Sequence, residues 1–191
     1  MDTTIPLNEF AGFPKIARLS RDCVITEMID GTNVQVAITE TGELFFGSRN
    51  RWLTAQDDNF GFARWGEGNR SELLKLGLGR HFGEWWGCGV QRGYGLKEKR
   101  FSLFNVHRWC PRGTTPSEGM LELPECVSKV PVLYRGLFNT GVCEIVLRVL
   151  GERGSVAAPG FMQPEGIVIY HAASKTLFKK TLKNDESPKG T

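Results

Sequence analysis

Early in the chain, apolar and polar side chains alternate with a period of two in three short runs, 23–28, 33–38 and 43–47, which predicts three β-strands. Thr41-Gly42 supplies the turn between the second and third. Between the first and second lies Asp30-Gly31. It reads as a short polar turn at a sheet edge, with Asp30, Thr32 and Asn33 directed into one cleft and glycine permitting close backbone approach. Residues 57–66 and 71–76 read as helical, broken by Gly66 and Gly68, with Ser71 capping the second. Phe60, Phe62 and Trp65 are expected in the core. An aromatic run at 81–87 and alternating runs at 101–106, 130–134, 166–170 and 176–182 predict further strands. Within 140–152, Val142, Ile145, Val146, Val149 and Leu150 recur at helical spacing and Gly154 lies just beyond, the clearest helix signal in the chain. Residues 1–22 form a lead-in, 111–126 a surface excursion rich in Pro and Gly, 153–164 a loop, and 184 onward a frayed tail. Antiparallel strands with few helices make the fold class α+β, expected as a single domain over 1–191 with no separate C-terminal domain.

Composition alters this little. Hydrophobic residues make up 40% and charged residues 24% of the 191, values ordinary for a soluble globular protein, and a net charge of +3 does not by itself announce nucleic acid. The distribution says more. Residues 91–112 carry Arg92, Lys97, Lys99, Arg100, Arg108 and Arg112 against Glu98 alone, and the tail from Lys175 carries five lysines against Asp185 and Glu186. Such patches supply phosphate contacts. The five cysteines are widely spaced without Cys-x-x-Cys, and His81, His107 and His171 stand at no metal-ligand spacing, so reduced, largely buried thiols are expected. The glycine-rich stretch Gly89-Val90-Gln91-Arg92-Gly93-Tyr94-Gly95 lacks the Gly-Lys-Ser/Thr of a P-loop. With no signal peptide and no long apolar run, the expected location is cytoplasmic, with no membrane and no obligate protein partner.

The chemistry-bearing motifs come in a fixed order. Glu27-Met28-Ile29-Asp30-Gly31-Thr32-Asn33 is followed by Arg49, then Phe82-Gly83-Glu84, Phe104, Pro164-Glu165-Gly166-Ile167-Val168 and Leu177-Phe178-Lys179-Lys180-Thr181. This series resembles the nucleotidyl-transfer motifs of covalent nucleotidyltransferases, and most closely the ATP-dependent RNA ligases of the phage type. The tract 83–96 is similar to their Gly-Glu…Gly-x-Gly-x-Gln run. The family has lysine where this chain has Met28, and methionine has no nitrogen with which to attack a phosphate. Either the nucleophile has been replaced by a shape-matched side chain or the chain is a naturally silent relative; the intact remaining motifs favour replacement.

The resemblance implies two antiparallel sheets around an ATP cleft with flanking helices. It implies ATP and Mg2+ (or Mn2+) as cofactors and RNA with 5′-phosphate and 3′-hydroxyl ends as partner, joined through enzyme-AMP and adenylylated-RNA intermediates. By this resemblance the catalytic positions are Met28, Asp30, Glu165, Lys179 and Lys180. ATP contacts fall to Glu27, Ile29, Asn33, Arg49, Glu84, Phe104, Glu165, Lys179 and Lys180, with Phe104 stacked on the purine. Asp30, Glu84 and Glu165 hold the metal through water. The family often shows Lys-x-Lys at its last motif, whereas here Lys179 and Lys180 are adjacent, so Lys179 is the firmer correspondence. Three rivals stay open: a DNA ligase or capping nucleotidyltransferase, a pseudoenzyme that only binds nucleotide or RNA, and a generic RNA-binding module.

Overall fold

The computed structural model describes residues 8–13, 15–105, 123–183 and 185. Among the described residues, ten strands form two sheets. In chain order they are β1 (Asp22–Met28), β2 (Thr32–Ile38), β3 (Leu44–Ser48), β4 (Trp52–Leu53), β5 (Gly79–Gly87), β6 (Lys99–Leu103), β7 (Val127–Lys129), β8 (Val132–Leu137), β9 (Gly166–His171) and β10 (Thr176–Thr181). The larger sheet runs β4-β3-β2-β5-β6-β7 and the smaller β10-β9-β1-β8. Every pairing is antiparallel except β6 with β7.

The short polar turn at Gly31, expected at one sheet edge, joins two different sheets. β1 pairs with β8 and β9, whereas β2 pairs with β3 and β5, so the chain leaves one sheet at Met28 and enters the other at Thr32. The turn is a bridge between sheets. A period-two pattern reports which faces are buried, and it cannot say which neighbour a strand takes. The Thr41-Gly42 turn does close a hairpin, with Gly42 at a φ of 77° that favours glycine.

The first two helices are shorter than their patterns suggested, whereas the third falls where its pattern put it. α1 (Phe62–Gly68) begins only after Phe60 and Gly61, whose φ values of 50° and 81° break the helical path. Asp58 instead accepts N–H bonds from Asn59, Ala63 and Arg64, and although burial opposes it, these donors lower its pKa. α2 (Arg70–Leu73) starts from Asn69, so Ser71 lies inside the helix and caps nothing. α3 (Thr140–Arg153) is capped by Asn139, whose side chain accepts from Gly141 N–H at 2.7 Å. Its buried stripe is Cys143, Leu147 and Leu150, turned away from Ile145, which is exposed.

Three apolar clusters hold the layers together. The largest packs α1 and the 73–76 turn on one face of the six-stranded sheet, with Phe62, Trp65 and Trp85 in mutual ring contact. Phe62 therefore joins the core as expected, whereas Phe60 is exposed. A second cluster packs α3 on Cys23, Ile25, Ile167 and Ile169 of the smaller sheet. The third includes Ile29, Trp86, Tyr94, Val130 and Ala158, with Val24 and Val132 against it, and so joins the remaining two faces. His81 and His171 bond to the carbonyls of Gly77 and Leu19 and hold loops. The described cysteines are free thiols, and burial pushes Cys23, Cys126 and Cys143 up. No helix among the described residues is long and apolar enough to cross a membrane.

Candidate functional site

Alternation along paired strands assigns each motif residue to a face. Ile25, Ile167 and Ile169 face α3, so Thr26, Met28, Val168 and Lys179, which occupy the intervening positions in register, share the opposite face. Met28 ends β1 opposite Gly166, and Thr181 pairs with that same glycine. A side chain at 166 would collide with the Lys180 carbonyl and reach within 2.8 Å of Thr181 Cα, so glycine there lets β10 lie close beside position 28.

Across the bridge, Gly31 is pressed against β5. A β-carbon at 31 would run into the Trp85 carbonyl and come within 2.7 Å of Trp86 Cβ. The glycine N–H donates to Glu84 Oε1 at 3.1 Å, while Asn33 Nδ2 donates to Glu84 Oε2 at 2.8 Å. Asn33 Oδ1 in turn accepts from Arg49 Nε at 3.1 Å and Nη2 at 2.5 Å. The structure thus joins Gly31, Asn33, Arg49 and Glu84 in one connected network. Thr32 turns elsewhere and accepts from Asn59. Burial raises Glu84 from its ordinary 4.5 to about 7; nearby Glu165 and Asp30 add to the rise, against the two hydrogen bonds.

Asp30 is committed to a second partner. Its carboxylate pairs with Arg92 Nε at 2.6 Å, and its N–H donates to the Tyr94 hydroxyl at 2.8 Å. Arg92 also donates to the Gln163 carbonyl at 3.0 Å and, more weakly at 3.5 Å, to that of Pro164, immediately before Glu165. One guanidinium therefore clamps the bridge to the segment leading into β9. Gln91, Gly93 and Tyr94 all have positive φ, at 45°, 65° and 52°, which turns the glycine-rich loop back toward Asp30. Sequence reasoning assigned Arg92 to nucleic acid and missed the clamp. The clustering of glycines around Gln91-Arg92 was the available signal of a tightly folded loop.

Other expected residues lie differently. Glu27 is buried on the α3 face, where its carboxylate accepts from Ser155 Oγ at 2.5 Å and from the N–H groups of Val156 and Ala157 at 2.8 and 2.9 Å. Its side chain holds the loop after α3, because a buried carboxylate requires donors and three backbone or hydroxyl donors converge there. Ile29 is buried in the third cluster and packs beneath the bridge. Lys180 faces the opposite way from Lys179, as adjacent strand residues must, and pairs with Glu144 of α3 at 3.0 Å and Asp185 at 3.4 Å. Thr181, on the Lys179 face, bonds to Asp185 and the Lys183 carbonyl. Phe104 follows β6 and stays 40% exposed, outside the three core clusters. Of the basic tract, Lys99 bonds to the Phe60 carbonyl and Arg100 to Glu98, and Arg108 and Arg112 lie outside the described residues.

Among the described residues no three His, Cys, Asp or Glu side chains are arranged as direct metal ligands. A cleft of about 490 Å³ opens between β6, β7 and residues 156–157. It touches Trp86 and Ser102 but contains none of Met28, Glu84, Glu165 or Lys179, and the polar network is the better guide to the site.

The fold is shared with known structures. Naegleria gruberi RNA ligase, solved as a lysine-to-methionine variant with AMP and Mn, superposes with a TM-score of 0.59 at 20% identity over 85% of this chain and 50% of its own. A glutamate-to-alanine variant of the same ligase, with ATP and Mn, gives 0.61 at 19% identity over 90% and 53%. The chain thus spans about half the length of these proteins. The comparison with curated proteins finds no match. A family model for RNA ligase runs through residues 21–183, from the start of β1 past the end of β10, and a chain matched over that span belongs to the RNA ligase family.

Proposed function

We propose that this chain is the nucleotidyl-transfer unit of an ATP-dependent RNA ligase in which Met28 occupies the place of the nucleophilic lysine. The observation that carries the reading is that the short bridge at 29–31 links Met28, which shares a sheet face with Lys179, to the Glu84–Asn33–Arg49 network on the other sheet. In the complete reaction, a neutral lysine amine at position 28 attacks the α-phosphorus of ATP. The N–P bond forms, the P–O bond to pyrophosphate breaks, and pyrophosphate leaves. AMP then passes to an RNA 5′-phosphate, and a 3′-hydroxyl displaces it to join the ends.

The chain's own residues divide this work. Arg49 and Glu84, joined through Asn33, hold the ribose, and Phe104 offers an exposed ring to the adenine. Lys179, on the face of Met28, balances phosphate charge. Lys180, paired with Glu144, supports the strand from behind. The acids Glu84, Glu165 and Asp30 lie close enough for their charges to interact, and such a cluster would suit the water shell of a divalent cation. Such an ion, Mg2+ or Mn2+, would withdraw charge from the α-phosphate. Glu84 and Glu165 would accept from its water shell. Asp30, bound by Arg92, acts first as a positioning residue. We assign the unit to the cytoplasm as a single domain over the described strands.

Intact-mass measurement tests the reading. The chain as it stands should bind ATP and gain no AMP, because a thioether cannot form the phosphoramidate. Met28→Lys should gain one AMP and release pyrophosphate in the presence of magnesium. An adduct on the present chain, or none on Met28→Lys, would overturn the assignment of position 28.

A further inference from the structure

Strand register also fixes what lies beside the polar network on the same face of the six-stranded sheet. Glu84 stands opposite Asn33 and Ser102. One pleat further along, Phe82 stands opposite Gln35, Gln35 opposite Gly47, and Gly47 opposite Trp52. The next row holds Arg80, Ala37 and Phe45. Phe104, whose N–H donates to the Phe82 carbonyl, continues the middle row past the end of β6. From Phe104 to Trp52 that row crosses four strand spacings, roughly 19 Å.

The rings in these rows are not core. Phe45, Trp52 and Phe82 are 45%, 48% and 51% exposed, while the opposite face of the same strands buries Val34, Val36, Phe46 and Trp85 almost completely. Phe45 and Trp52 approach to 5.8 Å between centroids. The Arg80 guanidinium lies 5.4 Å from the centre of the Trp52 ring and donates to Gln35 Oε1 at 3.0 Å. Flat rings interleaved with a cation, and continuous with an arginine-bearing polar network, match unpaired bases on a negative backbone: every base offers a π-face, and the guanidinium supplies the opposite charge.

We propose that Phe82, Trp52 and Phe45, with Arg80, form a platform on which the bases of a single RNA strand stack as it leaves the nucleotide site. This rests on the RNA ligase reading above and supplies its polynucleotide surface. Phe104 belongs to the adenine pocket of that reading and is not counted in the platform.

The test uses the full chain and a fluorescent oligouridylate of about 12 nucleotides, followed by anisotropy. Trp52→Ala and Phe82→Ala should each weaken binding about five- to hundredfold, and Trp52→Phe, which keeps a ring, should recover most of the loss. Arg80→Gln should lower the slope of log affinity against log salt by about one. ATP affinity should be the same in all four variants, which separates this proposal from the nucleotide site. Full oligouridylate affinity in both ring deletions would overturn the platform, as would an unaltered chain that binds no oligouridylate. Self-association in sedimentation that Trp52→Ala abolishes would overturn it too, by making a second copy of the chain the occupant. The underlying ligase reading fails by a different measurement, the absence of AMP on Met28→Lys.

Discussion

Glu84 should make this protein lose stability as the pH rises through neutrality. Its carboxyl titrates at about 7 in the fold against 4.5 ordinarily, chiefly because it is buried. Between those values the folded chain holds a proton that the unfolded chain has released, so the folded state is progressively disfavoured. Linkage puts the loss at about 1 kcal/mol or less at pH 5 and about 3 kcal/mol at pH 8, with little further change above. Glu84→Gln removes this titration. The amide keeps an acceptor for Gly31 N–H but turns an N–H toward Asn33 Nδ2, and that clash of donors costs about 1–2 kcal/mol at every pH. Wild type should therefore be the more stable protein at pH 5 and the less stable at pH 8, with a swing of about 2–3 kcal/mol between them. Urea denaturation of both proteins across that range measures it, and the comparison cancels every other titrating group. A difference that stays flat to within about 0.5 kcal/mol would refute a buried, neutral Glu84. Saturating Mg2+ or Mn2+ should shrink the swing, since a nearby cation favours the carboxylate.

Other expectations follow from the same geometry. Arg92→Ala should destabilise by about 1.5–2.5 kcal/mol, between exposed and buried ion pairs, and Arg92→Lys should recover about half by reaching Asp30 but not the carbonyls; an unchanged urea midpoint would dismiss the clamp. Gly31→Ala should cost about 3 kcal/mol because the obstacle is Trp85 backbone, and a loss below about 1 kcal/mol would mean that the bridge can shift. Phe104→Ala should weaken ATP binding by about 1–3 kcal/mol in titration calorimetry while leaving the melting temperature in place, and equal affinity would return that ring to a structural role.

What was legible in the sequence tracks the range of the physics involved. Strand positions were visible because burial alternates locally, and β2, β5, β9 and β10 fall where the pattern put them. β4, two residues long, and β7, which gains its identity from parallel pairing with β6, carry no local period. Of the expected α3 stripe, Leu150 is buried and Val142 and Val146 pack against the same cluster, whereas Ile145 is apolar yet exposed, and hydrophobicity alone does not say which apolar residues meet the sheet. Motif order named Glu84, Asn33 and Arg49 separately, and the fold brings these three into one hydrogen-bonded network. The structural partners of Glu27, Asp30 and Lys180 include Ser155, Arg92 and Glu144, and contacts so distant in sequence leave no periodic trace.

The bridge at Gly31 also sets an order of assembly. Strands β2 to β6 find their partners within residues 32–103, through hairpins and short connections. β1 must wait, since both of its neighbours, β8 and β9, come from the far part of the chain. Closing so long a loop is entropically slow, so the larger sheet should form first with Glu84 already in place. Met28 gains its surroundings only when β9 and β10 slide in beside β1. During synthesis, then, a ribosome-bound chain carries the Glu84 network alone, and Met28 is the last of these positions to be enclosed.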